Sequence, residues 1–412
     1  MKILFKILRI VGYVVGVLIV LGVVLYFMAL DAPDTPDSVA SIGELEEFLD
    51  ALVLSNKPPG VTISVIKDGA VVYEKAFGLA DPLNGTPARA DTVYAWWSMT
   101  KIPTALAVMQ LHEQGLLDID DPVADYLPFF DVVYPSPTSD IITIRHLLNH
   151  SSGIPNNVPA VLFWFHLDGE PELDQTKFIA DNFAPFSTLD FEPGSTAVYT
   201  NLGYSLLGAV VEKASGESYS TYVRAHVLEP LAMASTDFAL NDETRARMAV
   251  PTHPLIDLIS PMVPFLVDDM IREVEDGLIY MHPVIADSLP PTGLIGPVSD
   301  VVRLVTAMLN GGVVDGQRIL APETVSMMLT ESQLVGEGVD LRAPGIIQGL
   351  GWQLFHNFEN SGRTFYEHSG GGPGFSALMR MYPEDGLGIV VMANGTHIDS
   401  EGIALLLASL NW

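Results

Sequence analysis

The sequence predicts an α/β (α+β) protein: an antiparallel sheet flanked by helices, with an inserted all-helical subdomain and a transmembrane helix at the N-terminus. Three observations carry this reading. Strand-like runs fall at both ends of the chain, within residues 61–77 and 352–393. Between them apolar residues recur at three- and four-residue spacing, the helical period. Ahead of both lies one long uncharged apolar run.

That run, Ile10 to Leu30, contains neither a charge nor a proline. At about 1.5 Å per residue a helix of this length spans roughly 32 Å, enough for a hydrocarbon core of about 30 Å. Lys2, Lys6 and Arg9 precede it, while Asp31, Asp34 and Asp37 follow. A positive leading flank stays in the cytoplasm, so the expectation is a single-pass anchor over residues 1–30 in the inner (cytoplasmic) membrane, with the remainder on the periplasmic or extracellular side. A cleaved signal peptide fits less well, because its apolar stretch is about 7 to 15 residues and ends at a small-x-small site that is missing after Leu30. Gly12 and Gly16 have GxxxG spacing, which is too common in such segments to assign an oligomer.

Residues 31–41, rich in Pro and Asp, read as a tether, and residues 42–412 as one domain with its helical subdomain within about 115–340. Ile42 to Leu54 has a helical pattern. Val61 to Ile66 and Ala70 to Phe77 read as strands joined by a tight turn at Lys67-Asp68-Gly69. Trp352 to Phe355, Thr364 to His368, Ser376 to Tyr382 and Gly388 to Ala393 are the strands of the C-terminal end. Pro103 to Gln114, Ile144 to His150, Leu202 to Ser215, Tyr219 to Val227 and Ser299 to Leu309 are the intervening helices. Two apolar stretches, Val158 to Leu167 and Pro251 to Val284, fit neither pattern and read as loops packed on the domain or as a lid over the site.

Composition removes several function classes. The chain carries 20 Lys and Arg against 50 Asp and Glu, and the part beyond the anchor is near −33, which repels nucleic acid. With no cysteine there is neither a thiol nucleophile nor a thiolate metal site, and the ten histidines form no HxH or HExxH cluster. No metal or organic cofactor is expected.

Three elements carry chemistry. In Ser98-Met99-Thr100-Lys101 the serine and lysine stand three apart on one helical face, so the amine reaches the hydroxyl. Pro103 is tolerated only in a first turn, so the helix begins close to Ser98, where free N–H groups favour an oxyanion. In Tyr199-Thr200-Asn201 a phenol lowered by a nearby cation would take the Ser98 proton, while Asn201 offers an amide to substrate and to Lys101. In the run His368-Ser369-Gly370-Gly371-Gly372-Pro373-Gly374 the glycines admit a ligand to the backbone, and Gly371 N–H pairs with that of Ser98 as an oxyanion hole. A phosphate loop is the competing reading of those glycines, but no Lys-Ser or Lys-Thr follows them. His146 and His150 have no acidic partner assignable from spacing and read as structural.

Taken in order, these elements resemble the serine β-lactamase and penicillin-binding-protein superfamily, in particular its class C-like branch with family VIII esterases and D-amino-acid peptidases. Leu147-Leu148-Asn149-His150-Ser151-Ser152-Gly153 is similar to that branch's LLTHTSG, and Gly349-Leu350-Gly351-Trp352 to its YGLGW. The likeness runs from about Pro58 to Trp412. It implies a β-lactamase/transpeptidase-like fold with the active site between the sheet and the helical subdomain. It places the nucleophile on Ser98, the paired lysine on Lys101, the base on Tyr199, the amide contact on Asn201 and the oxyanion hole on the N–H groups of Ser98 and Gly371. The chain departs from the family's Lys-Thr-Gly, having His368-Ser369-Gly370 as its substrate-binding strand. Losing that permanent cation disfavours β-lactam turnover and favours esters, or amides and peptides without a carboxylate contact. The expected function is therefore a carboxylesterase-like serine hydrolase acting through an acyl-enzyme on a small ester, amide or peptide. The alternatives are a D-amino-acid peptidase, D,D-carboxypeptidase or weak β-lactamase, and a non-catalytic peptidoglycan-binding or membrane-assembling protein.

Overall fold

Helix α1 (Ile42–Leu54) is capped by Ser41, whose hydroxyl accepts from the Glu44 N–H, and leads into strands β1 (Gly60–Lys67) and β2 (Ala70–Asp81). Lys67 pairs with Ala70, leaving only Asp68 and Gly69 in the turn, at φ +52° and +82°. Left-handed backbone at both central positions is the type I′ geometry that matches strand twist, as the Lys-Asp-Gly sequence predicts. The computed structural model describes residues 34–155, 164–256, 260–261, 263–265, 267–330, 335–337, 346–356 and 363–412.

The middle of the chain supplies α2 (Lys101–Glu113), α3 (Asn201–Ser215) and α4 (Val298–Leu309). The C-terminal end supplies β3 (Gln353–His356), β4 (Thr364–Gly372), β5 (Phe375–Tyr382), β6 (Leu387–Ala393) and α5 (Ser400–Ser409). The strand order is β2-β1-β6-β5-β4-β3, antiparallel throughout, with short strands beyond each edge bringing the sheet to ten. The two ends of the chain join where Val61 faces Ala393. Alternate residues of β6 serve the two faces: Ile389 and Val391 pack towards α1 and α5, while Val390 and Met392 pack into the larger core with α2 and α4. Burial on both faces explains why β5 and β6 are apolar almost without interruption.

The insertion is not all-helical. Thr252–Pro254, Leu278–Met281 and Ile271–Glu275 form a three-stranded sheet, and Phe165–Leu167 pairs with Val284–Ala286. Pro251, Pro254, Pro261 and Pro264 bar a long α-helix there, but proline is tolerated in the short 3₁₀ turn Val263–Phe265 and at the ends of short strands. Two helices also differ from expectation. Ile144–Leu148 stops before His150, whose φ of +60° is incompatible with continuing it, and Tyr219–Val223 widens into a π turn over Arg224–Leu228.

The anchor segment Ile10 to Leu30 lies outside the described residues, among which no helix is long and apolar enough to cross a membrane. Of the apolar run Val158 to Leu167, residues 158–163 also lie outside them. Trp164 packs edge-on against Phe178 with ring centroids 5.1 Å apart, so this part of the run packs on the domain.

Candidate active site

Ser98 is presented by a strained turn. Trp96 is fully buried, its backbone N–H donating to Leu294 C=O (2.9 Å) and its indole N–H to Gly296 C=O (3.3 Å). Trp97 then takes φ +47°, a left-handed conformation costing about 1–3 kcal/mol for such a residue. Packing holds it there: its ring lies on Gly372, where a built Cβ would come within 2.6 Å, and meets Phe165 edge-on at 5.4 Å. Ser98 follows in the short 3₁₀ turn Trp97–Thr100, which runs directly into α2. Pro103 sits in the first turn of α2, as the sequence predicts.

Lys101 is completely buried, and its ammonium nitrogen touches three acceptors: Ser98 Oγ at 3.1 Å, Asn201 Oδ1 at 2.7 Å and Pro291 C=O at 3.1 Å. It also stands over the Tyr199 and Tyr204 rings, 4.8 and 5.6 Å from their centroids. Burial drives its pKa well below the ordinary lysine value. Asn201 reaches it from the first residue of α3, whose N-cap Thr200 accepts from Leu202 N–H. The Pro291 carbonyl reaches it because Gly208 of α3 has no side chain: a built Cβ would stand 2.1 Å from the Pro290 ring.

Tyr199 is braced by His150. The His150 ring lies 4.5 Å from that of Tyr199, its Nδ1 accepts from Thr200 N–H (3.3 Å), and its carbonyl accepts from Val198 N–H (2.9 Å). Burial and the nearby Lys101 hold His150 neutral, well below the usual histidine range, so it works as a structural support. Burial pushes the Tyr199 phenol above its ordinary value, with Ser98 drawing it back only in part. This corrects the expected lowering of that pKa. The lysine that was to stabilise a phenolate is itself driven towards the neutral amine, leaving desolvation dominant. The Tyr199 hydroxyl is buried beside Ser98, which it senses without forming a well-aligned hydrogen bond to any described residue.

The third element lies along the free edge of β4 beyond β3. At Gly370 a built Cβ would stand 2.0 Å from Trp96 C=O and 3.2 Å from Ser98 N, so only glycine lets this strand lie against the nucleophile turn. At Gly371 nothing lies within 4 Å of such a Cβ, and Ser369 is exposed. His368 is buried with its ring 6.2 Å from Tyr199, and its Nδ1–H donates to Ser369 C=O (2.8 Å). The remaining nitrogen, Nε2, is therefore an unprotonated acceptor, and it has no partner among the described residues. Burial and Lys101 lower the His368 pKa to about 3, so the position carries no cation. The structure thus brings all eight sequence-derived residues, Ser98, Lys101, Tyr199, Asn201, His368, Ser369, Gly370 and Gly371, to one place. Ser98, Tyr199 and residues 368–371 line a single groove of about 380 Å³.

Two expected results follow from this geometry. Gly370→Ala should cost about 1–3 kcal/mol in urea unfolding, because the methyl meets backbone oxygen that cannot rotate away. The buried neutral His368 should also make the fold acid-sensitive. Its folded pKa of about 3 lies below the unfolded value of about 6.5, so the unfolded chain binds the extra proton and stability falls as pH drops from 6.5 towards 3. Between pH 6.5 and 5 that amounts to about 2 kcal/mol from this one group, and His368→Gln should flatten the slope by that amount.

Sequence reasoning missed the Pro291 carbonyl and Trp97, and it read His150 as structural without placing it against Tyr199. The run Leu289-Pro290-Pro291 held a signal, since two prolines leave carbonyls without matching N–H groups.

Residues 45–409 match the beta-lactamase family. Penicillin-binding protein 4 of Amycolatopsis lactamdurans is 29% identical over 352 residues, covering 85% of this chain and 84% of that protein. Esterase EstB of Burkholderia gladioli is 29% identical over 332 residues, covering 75% and 79%. Among solved structures, the octameric penicillin-binding protein homologue from Pyrococcus abyssi superposes with a TM-score of 0.72 at 29% identity, covering 89% of this chain and 78% of that one. With the match spanning almost the whole described chain, this protein belongs to the beta-lactamase family and is a serine hydrolase.

Proposed function

We propose that Ser98 is the nucleophile of a two-step acyl transfer on esters, with neutral Lys101 as the base. The observation that carries this is the fully buried amine 3.1 Å from the Ser98 hydroxyl, its pKa driven well below normal. The Ser98 proton passes to the Lys101 nitrogen as Oγ bonds to the ester carbonyl carbon. The N–H groups of Ser98 and Gly371 receive the oxyanion, and Asn201 contacts the substrate carbonyl beside Lys101. The alkoxide leaves with a proton from the Tyr199 hydroxyl, which is replenished from Lys101, and water then releases the acid by the reverse sequence. Tyr199 thereby serves as proton relay to the leaving group, the role that a raised pKa suits.

Substrate preference follows from charge. No lysine or arginine is among the described residues lining the Ser98 groove, and His368 is neutral. A substrate carboxylate has no cation to meet there, which favours esters over β-lactams and C-terminal peptides. The kinship with esterase EstB supports the same choice. The flank of Lys2, Lys6 and Arg9 before Ile10 to Leu30 supports a membrane tether, with the hydrolase on the periplasmic or extracellular side. Protease accessibility in intact and opened cells tests that placement: digestion only after opening the inner membrane contradicts it.

A chromogenic ester series, D-amino-acid amides and a chromogenic cephalosporin, given to the wild type and to Ser98→Ala, test the chemistry. Turnover should be fastest on esters and vanish in the variant. Faster cephalosporin than ester turnover contradicts the substrate assignment, and ester turnover surviving in Ser98→Ala contradicts the mechanism.

A further inference from the structure

A second and larger cavity, about 780 Å³, opens beside Arg89, Arg245, Arg247 and Arg272 and, among the described residues, shares no lining residue with the Ser98 groove. Four of the chain's twelve arginines thus meet in one hollow of a protein whose net charge is −30. Two are committed to the wall. Arg245 pairs with Asp168, and Arg247 pairs with Glu243 at 3.0 Å, with Asp91 a further 3.8 Å contact. Among the described residues, the Arg89 and Arg272 side chains have no hydrogen-bond or ion-pair partner. Four aspartates line the same hollow: Asp91 and Asp168 belong to those pairs, Asp81 accepts from the uncharged Asn84 amide (2.6 Å), and among the described residues Asp81 and Asp269 have no cation partner, as Arg89 and Arg272 have no carboxylate partner.

The unpaired arginines are held by their backbones. The Arg89 N–H donates to Thr92 Oγ1 (2.8 Å) and its carbonyl accepts from Thr62 Oγ1 (3.3 Å). Arg272 is the extra residue of a β-bulge: Ile271 pairs with Met281 and Glu273 with Tyr280, which leaves Arg272 without an opposite residue. A bulge re-aims the side chain it carries, and here that chain lines the cavity. The wall is mixed, and its apolar part includes Leu167, Leu240, Met248, Val250 and Met281.

We propose that this cavity binds an organic anion with an apolar body, a carboxylate or a phosphate ester, through Arg89 and Arg272. Guanidinium forks suit both head groups, and the volume lies in the small-molecule range of about 300–1,000 Å³. The cavity backs onto the active site without opening into it. Leu167 ends the short strand whose Phe165 packs on Trp97, and Pro251 and Met281 both close on Gly374 after the third motif.

Calorimetric titration of the full-length protein with hexanoate, hexyl phosphate and neutral hexanamide tests the site, alongside an Arg89→Met/Arg272→Met double variant. At least one of the two anions should bind about tenfold or more tighter than the amide, and the tighter of them names the head group. The double variant should lose that preference while a fluorophosphonate still labels Ser98 at the wild-type rate, which shows an intact fold. Equal binding of amide and anions, or a preference that survives in the double variant, overturns the proposal.

Discussion

Ser98→Ala is expected to lower kcat for a good ester by about four to six orders of magnitude, the scale seen when a covalent nucleophile is removed from a preorganised site. The remaining groups cannot substitute. Tyr199 carries a hydroxyl whose pKa is raised, so it is a poor nucleophile at neutral pH, and Lys101 is walled in by Asn201, Pro291 and two tyrosine rings. The variant should fold as before, since the Ser98 hydroxyl contacts only Lys101 and Tyr199 among the described side chains. Circular dichroism and urea unfolding check the fold, and steady-state ester kinetics check the loss.

Lys101→Met is expected to cost about two to four orders of magnitude in kcat, the range of a positioned general base, with a much smaller effect on stability. The two consequences separate for a physical reason. Removing the amine leaves Asn201 Oδ1 and the buried Pro291 carbonyl without their donor, costing about 1–3 kcal/mol for each group that stays dry. Against this, methionine has no charge to desolvate, and the lowered lysine pKa records how strongly the site resists that charge. The terms oppose each other, so urea unfolding should shift little while turnover collapses. A stability loss as large as the activity loss would mean that Lys101 is structural.

How far the sequence led depends on which interactions were local. The Lys67-Asp68-Gly69 hairpin and the start of α2 near Ser98 were legible because turn geometry and proline tolerance are set within four residues. The terminal strands were legible from β-branched runs, and their union into one sheet from the alternation of strand and helix patterns. The sheet of residues 252–281 was hidden, because strands of three to five residues interrupted by prolines have too few positions to display a period. The site shows the same divide. Ser98 and Lys101 stand one helical turn apart and could be paired on paper. Pro291 stands 190 residues from Lys101, and its approach depends on a missing side chain at Gly208.

The Tyr199 pKa was misjudged for a related reason. A sequence shows which charges are near in kind, whereas the sign of the shift here is decided by desolvation of both partners. Arg272 carries no local sequence signal of its place on a cavity wall, because a register shift between strands sets it.

The account rests on a neutral Lys101 taking the proton from Ser98, and the pH dependence of Ser98 phosphonylation by a fluorophosphonate measures that step directly. The rate should rise through a single ionisation far below the ordinary lysine value of 10.5, persist in Tyr199→Phe and disappear in Lys101→Met. An ionisation retained in Lys101→Met, or lost only in Tyr199→Phe, would place the base on another group.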